Sequence, residues 1–321
     1  MKLNIISKFK RKKILVIGDV MLDRFLYGKI YRKSPEVDVP VVDIYKEIIT
    51  VGGAANVAMN TSSLGASVFL TGAIGEDNDG EKIISILKSK GIDIRGLIID
   101  KSRPTTVKTR IIGNKKNIVR VDKESRKLID RDITRKLLKY IKNVVPQIDA
   151  VVISDYDKGV LSQKFLKEII KLSKRFNKIV IANPKIKNFF NYTGVTVICI
   201  NKSSAYSAFG KKSMSRIGKN TIKRMKCDAV LITQDKKGMA LFEKNGHITN
   251  ISPVKCKVLD VVGAGDTVVS VLALALVSGA SMIDAVNLSN IAASIVVSKP
   301  RTAIVKTNEL IGSINNLFYS R

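Results

Sequence analysis

Short apolar runs closed by Gly, Asp or Asn alternate with longer amphipathic stretches along most of this chain. Residues 13–17 form one such run, ended by Gly18-Asp19, the pattern of a parallel strand buried on both faces. The same pattern predicts strands at 68–73, 94–99, 150–154, 178–182, 195–200 and 229–233. Helices are expected at 55–64, 80–90, 131–145, 161–176, 204–209 and 216–225, with a helical tail at 284–297 and 308–318. Residues 268–279 are apolar almost throughout and read as a buried helix, too short for the roughly 20 residues of a bilayer span. Strand–helix alternation of this kind predicts an α/β fold with a mainly parallel sheet.

Two stretches break the rhythm. Residues 27–50 carry the β-formers Val37, Val39, Val41 and Ile44, interrupted by Pro35 and Pro40, and read as edge strands outside the main sheet. Residues 105–112 and 117–122 alternate like a hairpin around Gly113-Asn114. Together they predict a small β-strand lid. A further β pair is expected at 239–242 and 247–251. Polar residues recur where the predicted strands end, at Asp19, Asp155, Asn183, Asn201 and Thr233. In a parallel sheet such residues line one crevice along the carboxyl edge.

The densest chemistry precedes the apolar helix, in Asp260-Val261-Val262-Gly263-Ala264-Gly265-Asp266-Thr267. Glycines at a helix start let a ligand approach the free N–H groups, which attract phosphate. Asp266 beside that anion hole is the residue type that takes a proton from an attacking hydroxyl. A tight loop would also explain the glycines. Gly52-Gly53-Ala54-Ala55-Asn56 opens another helix, and Asn56 either faces a polyol or caps the helix. Asp19 is a ligand or a turn residue, and Asp23 a ligand or half of an ion pair. The glycines at 75 and 80 lack a following Gly-Lys-Ser/Thr, so they do not form a P-loop.

Composition adds limits. There are 56 Lys and Arg against 27 Asp and Glu in 321 residues, a formal net charge of +29. The cations are scattered and no nucleic-acid module is readable, so the excess reads as solvated surface and no nucleic-acid partner is expected. Cys199, Cys227 and Cys256 are spaced as free thiols of a reducing compartment, and the only histidine, His247, lies in a turn. No metal-ligand cluster is expected. The apolar run at 14–17 is too short for a signal peptide, and a cytoplasmic protein without a membrane partner is expected.

The paired glycine motifs, in this order, resemble the two signatures of the ribokinase/phosphofructokinase-B sugar kinases. Further stretches are similar to the kinase domain of bacterial heptose-7-phosphate kinases: residues 17–24, Tyr27-Gly28-Lys29, Ser34-Pro35-Glu36 and Ser154-Asp155-Tyr156-Asp157-Lys158-Gly159. The resemblance covers residues 11–312. It implies a ribokinase-like three-layer α/β/α sandwich with a lid, and ATP-dependent phosphorylation of the anomeric hydroxyl of D-glycero-D-manno-heptose 7-phosphate. It implies Asp266 as base, with the backbone of Gly263, Ala264 and Gly265 as anion hole. Asp23, Gly52, Gly53, Asn56 and Asp155 would contact the sugar, and Lys108, Arg110, Arg120 and Lys158 its 7-phosphate. Lys185, Asn201, Thr233, Gly238 and Asn290 would hold ATP, with Mg²⁺ as the accompanying ion. The adenylyltransferase domain of two-domain relatives is not expected here, and the lid strands suggest a homodimer.

Four positions depart from the family pattern. Ser204 stands where a metal-organising Glu is usual, Asn183 for Asp, Val262 for Thr, and Arg301 for Gly. A kinase for another sugar, or a sugar-phosphate-binding protein with weak activity, therefore stands beside the main reading.

Overall fold

In a computed structural model that describes residues 3–319, α1 (Leu3–Ser7) leads into β1 (Lys13–Gly18). The chain continues through β2 (Val20–Lys33), β3 (Pro40–Gly53), α2 (Ala54–Ser63), β4 (Ser67–Ile74), α3 (Asn78–Lys88), β5 (Asp93–Ile99), β6 (Thr106–Gly113) and β7 (Lys116–Lys123). Then follow α4 (Arg131–Val144), β8 (Ala150–Ser154), α5 (Gln163–Arg175), β9 (Ile179–Asn183), β10 (Val197–Asn201), α6 (Lys202–Phe209), α7 (Met214–Met225) and β11 (Ala229–Thr233). The last elements are β12 (Met239–Glu243), β13 (Ile248–Ile251), α8 (Ala264–Val277), α9 (Met282–Val297) and α10 (Thr307–Tyr319).

The main sheet has nine strands in the order β13-β12-β11-β10-β9-β8-β1-β4-β5, in which only the β11–β12 and β12–β13 pairs are antiparallel. β1 shows why its strands read as continuous apolar runs. Ile14 and Val16 enter one hydrophobic core, and Leu15 and Ile17 the other. Helices α2, α3, α8, α9 and α10 close the first core, and α4 to α7 the second. The result is the expected three-layer α/β/α arrangement. Register brings strand ends level: Gly18 opposite Ser154, Ser154 opposite Asn183, and Asn201 opposite Thr233.

A second sheet, β3-β2-β6-β7, stands beside that carboxyl edge. Its first hairpin departs from the edge strands expected at 27–50. β2 and β3 pair from Val20–Gly53 to Lys33–Pro40, so the hairpin reaches back to the main sheet. Pro35 lies in the turn and Pro40 opens β3, so neither interrupts a ladder. Asp23 consequently sits within β2, not in a loop after β1. A six-residue 3₁₀ segment, Ile186–Asn191, was also not legible in the sequence.

Asp77 ties the two sheets. It caps α3 through Gly80 N–H (3.0 Å) and accepts from Thr105 N–H (3.0 Å) and Lys123 Nζ (3.1 Å) at the two ends of β6–β7. Burial acts to raise its carboxyl, but hydrogen bonds from Thr105, Gly80 and Lys123 outweigh that and hold it at about 2. Cys199 and Cys227 are buried, Cys256 is exposed, and all three are free. Among the described residues no helix is long and apolar enough to cross a membrane.

Replacing Asp77 with Ala is expected to cost ~1–2 kcal/mol in urea unfolding at neutral pH. A depressed carboxyl stabilises the fold above its unfolded value of about 4 and loses that contribution as pH falls toward about 2. The difference between the two proteins should therefore shrink over that range. Equal stability at neutral pH would show that the tie carries nothing.

Candidate active site

α8 begins where Gly263 takes a left-handed turn at φ 83°, ψ −3°. A Cβ on Gly263 would lie 2.7 Å from Asn56 Nδ2. The glycine therefore serves both the turn and the close packing of α8 on α2. Asp266, in the first turn of α8, is 2% exposed. Asn56 Nδ2 donates to its Oδ2 (2.8 Å) and the Tyr156 hydroxyl to its Oδ1 (2.7 Å). Burial, the largest influence, pushes the carboxyl up to about 6. The Asn56 and Tyr156 hydrogen bonds oppose that rise, Asp23 adds to it and Lys185 opposes it.

The helix start also differs in detail from the expected anion hole. Ala264 turns its N–H back to the Val261 carbonyl (3.3 Å). Among the described residues the N–H groups of Gly263 and Gly265 have no protein acceptor, so they, and not Ala264, are free for an anion.

A cavity of about 490 Å³ opens in front of Asp266 and Gly263, between the sheet edge and the lid. It brings together Asp23, Gly53, Lys108, Arg110, Arg120, Lys158 and Lys185 of the expected site residues. Asp23 accepts from Arg110 (2.6 Å) and the Thr302 hydroxyl (3.1 Å). Gly52 stays off the cavity wall and makes room for it: a Cβ there would lie 2.5 Å from Asp23 Oδ2. Three of the other cations also have acidic neighbours. Lys158 meets Glu124 at 2.6 Å, Arg120 meets Asp122 at 2.9 Å, and Lys108 lies 3.4 Å from Asp122.

Several expected contacts lie elsewhere. Asn56 neither caps α2 nor lines the cavity; it is spent on Asp266, and Asn60 donates to its carbonyl (3.0 Å). Asp155 is buried behind the cavity floor, where the Tyr192 hydroxyl (2.8 Å), Asn188 (3.2 Å) and the Asp157 N–H (2.8 Å) use its oxygens. Asn201 caps α6 by accepting from Ser204 N–H (2.7 Å), and Asn290 donates to the Ser252 carbonyl (2.8 Å). Thr233 and Gly238 share that sheet edge, and none of these four lines the cavity.

Several residues with site geometry were given no role from the sequence, Thr302 beside Asp23 among them. Tyr156 holds Asp266, and Arg126 and Lys187 line the cavity. Tyr156 lay within the family-like stretch 154–159, and the signal of Arg126 and Lys187 was position, close to the lid strands or just past a strand end. Asp19, left between ligand and turn residue, is a loop anchor. Its carboxylate accepts the N–H groups of Tyr156 (2.8 Å), Lys158 (3.1 Å) and Val160 (3.3 Å). Arg301, standing in place of Gly, has φ 65° and donates its N–H to Asp260 Oδ2 (3.1 Å), which explains why glycine suits the position.

A buried carboxylate at a helix start, facing a cation-lined cavity on the carboxyl edge of a parallel sheet, marks a phosphotransferase. Residues 11–308 match the pfkB family carbohydrate kinase, and the chain belongs to that family of ATP-dependent carbohydrate kinases. The relatives it resembles include proteins named Bifunctional protein HldE. The one from Helicobacter pylori strain J99 is 40% identical over 309 residues, 95% of this chain and 66% of that protein. The one from Geobacter sulfurreducens is 38% identical over 305 residues, 94% of this chain and 62% of that protein. The chain thus spans somewhat under two thirds of the length of these curated relatives. A putative ribokinase from Agrobacterium tumefaciens superposes with a TM-score of 0.79 at 20% identity, covering 97% of this chain and 99% of that one. Phosphofructokinase-2 from Escherichia coli, in a tetrameric inhibited form, does so with 0.78 at 16%, covering 97% and 100%. At these identities the likeness is one of fold, which is ribokinase-like.

Gly263→Ala should lower stability by ~1–2 kcal/mol from the left-handed backbone alone, with the clash against Asn56 added. Chemical denaturation reads this directly, and an unchanged midpoint would show that Asn56 and α8 can move apart freely.

Proposed function

We propose that the protein transfers the γ-phosphoryl group of ATP to the anomeric hydroxyl of D-glycero-D-manno-heptose 7-phosphate, giving the 1,7-bisphosphate used for ADP-heptose and lipopolysaccharide core. The observation that carries this reading is the pairing within one cavity of Asp266 with lid cations able to hold a sugar phosphate. The heptose motifs and the HldE relatives support the choice of sugar.

In this reading residues 11–312 form the kinase unit, with β2–β3 and β6–β7 as its lid. Asp266 accepts the proton of the sugar hydroxyl. The oxygen attacks the γ-phosphorus, the bond to the bridging oxygen breaks, and ADP leaves with that electron pair. Free N–H groups of Gly263 and Gly265 stabilise the charge that spreads over the transferring group. Asp23, charge-balanced by Arg110, orients sugar hydroxyls, while Lys185 approaches the ATP phosphates from the other side of the cavity. Among the described residues no three His, Cys, Asp or Glu side chains converge, so these residues fit a Mg²⁺ carried by ATP phosphates and water. That ion would supply charge neutralisation on the phosphates. A second copy is proposed to cover the lid, where Tyr31, Tyr45 and Val121 expose apolar surface. We assign the enzyme to the cytoplasm on this reading, because that is where ATP is supplied.

One observation favours a slower enzyme. Where the family carries its Glu, Ser204 offers a backbone N–H to Asn201 and no carboxylate. Ser204→Glu should lower the Mg²⁺ concentration for half-maximal activity, and an unaltered Mg²⁺ dependence would remove this account of the position.

Asp266→Asn should reduce kcat by about 10²–10⁴-fold while calorimetry still detects sugar-phosphate binding. The assay is coupled ADP release over a panel of sugar phosphates with heptose 7-phosphate included. Full turnover by the Asn variant would refute the base. A preference for another sugar would refute the substrate while leaving the base intact.

A further inference from the structure

We propose that Tyr156 is a positioning residue that joins the two halves of the site: its hydroxyl orients the base Asp266, and its ring face seats the phosphate-side cation Lys185. The proposal rests on the reading of Asp266 as base.

The side chain is fixed from three directions. Its backbone N–H donates to Asp19 Oδ2 at 2.8 Å, its hydroxyl donates to Asp266 Oδ1 at 2.7 Å, and Lys185 Nζ lies 4.9 Å above the ring centroid. A cation at that distance is attracted by the ring face. The ring borders the cavity that Asp266 and Lys185 also line. No other residue lining the cavity combines a hydrogen bond to Asp266 with a cation on its ring.

The chemistry follows from donor and acceptor counts. Asn56 occupies one acceptor site on Oδ2 and Tyr156 one on Oδ1. Each carboxylate oxygen has two lone pairs, so a sugar hydroxyl still finds a place on the base. Burial and the neighbouring carboxylates hold the phenol well above its ordinary value. It therefore stays a neutral donor and never competes with Asp266 as a base. A donor to the charged form keeps a buried carboxylate ionised at lower pH. The other charged groups bearing on Asp266 are Asp23 of β2, itself paired with Arg110 of β6, and Lys185 after β9. Asp19, at the end of β1, acts on Tyr156. These remain in place when only the phenol oxygen is removed.

Two substitutions separate the two tasks. Tyr156→Phe keeps the ring and loses the hydroxyl. The acid limb of its kcat/KM profile should move up by about one pH unit. Activity lost at neutral pH should return at more alkaline pH, and KM for ATP should hold. Tyr156→Leu removes the ring face as well, and KM for ATP should rise several-fold on top of the same limb shift. Carbon-detected NMR of the Asp266 carboxyl in Tyr156→Phe reads the shift without turnover and confirms folding. A profile and carboxyl titration superimposable on those of the unmodified protein would overturn the hydroxyl's task. An unchanged KM for ATP in Tyr156→Leu would overturn the ring's. Retained turnover in Asp266→Asn sinks the base reading instead, and the NMR titration still decides whether Tyr156 governs that carboxyl.

Discussion

A carboxylate has to be dry enough to act as a base and still remain charged. On the proposed reading that requirement falls on Asp266. Burial of an ionised carboxylate costs several kcal/mol unless hydrogen bonds compensate it. The two compensating donors come from separate parts of the chain, Asn56 on α2 and Tyr156 after β8. Neither helix is free to drift. Thr267 donates to Asn60 (3.0 Å), and Ser270 donates to the Val57 carbonyl (3.1 Å), so a buried polar ladder locks α8 to α2 next to Asp266. The apolar length of α8 supplies burial, and the ladder supplies register.

Asp19 extends the same logic to the loop after β8. Three consecutive-to-alternate N–H groups, at 156, 158 and 160, converge on one carboxylate at the end of β1. Burial and the nearby Asp155 push Asp19 up to about 6, so the loop's geometry depends on a charge that the fold tolerates with difficulty. Asp155 is in turn bound by Tyr192 and Asn188 on its far side. The central strand thereby positions Tyr156 and Lys158 without contacting the cavity contents.

Features governed by local pattern were legible in the sequence. Apolar runs located β1, β8 and β11 to within a residue or two, because strands buried on both faces need no alternation. Gly263-Ala264-Gly265-Asp266 was legible because a helix start, glycine and a carboxylate lie within four positions. Long-range pairings were not. Asn56 and Asp266 are separated by 210 positions, and nothing in either neighbourhood names the other. The phosphate-side cations came from the family resemblance, and their partners Asp122 and Glu124 were not singled out. Pro35 and Pro40 suggested interruption because a sequence does not show whether a proline falls in the turn of a hairpin or in its ladder. Tyr156 was named only as part of the 154–159 stretch and given no role, since a tyrosine in a loop is ordinary until its hydroxyl is placed.

The lid acids change what the cation cluster can recognise. Lys108, Arg110, Arg120, Arg126 and Lys158 line the cavity, and Asp23, Asp122 and Glu124 sit among them in ion pairs. Five cations against three carboxylates leave two positive charges in this cluster, which offset the charge of about −1.5 to −2 that a phosphate monoester carries near neutral pH. Burial already pushes the Lys108 ammonium down, and further unpaired cations in the same space would push it further. On the proposed reading, then, Asp122 and Glu124 let the cluster stay charged and confine its preference to one phosphate, while Asp23 keeps Arg110 aimed at the sugar end of the cavity.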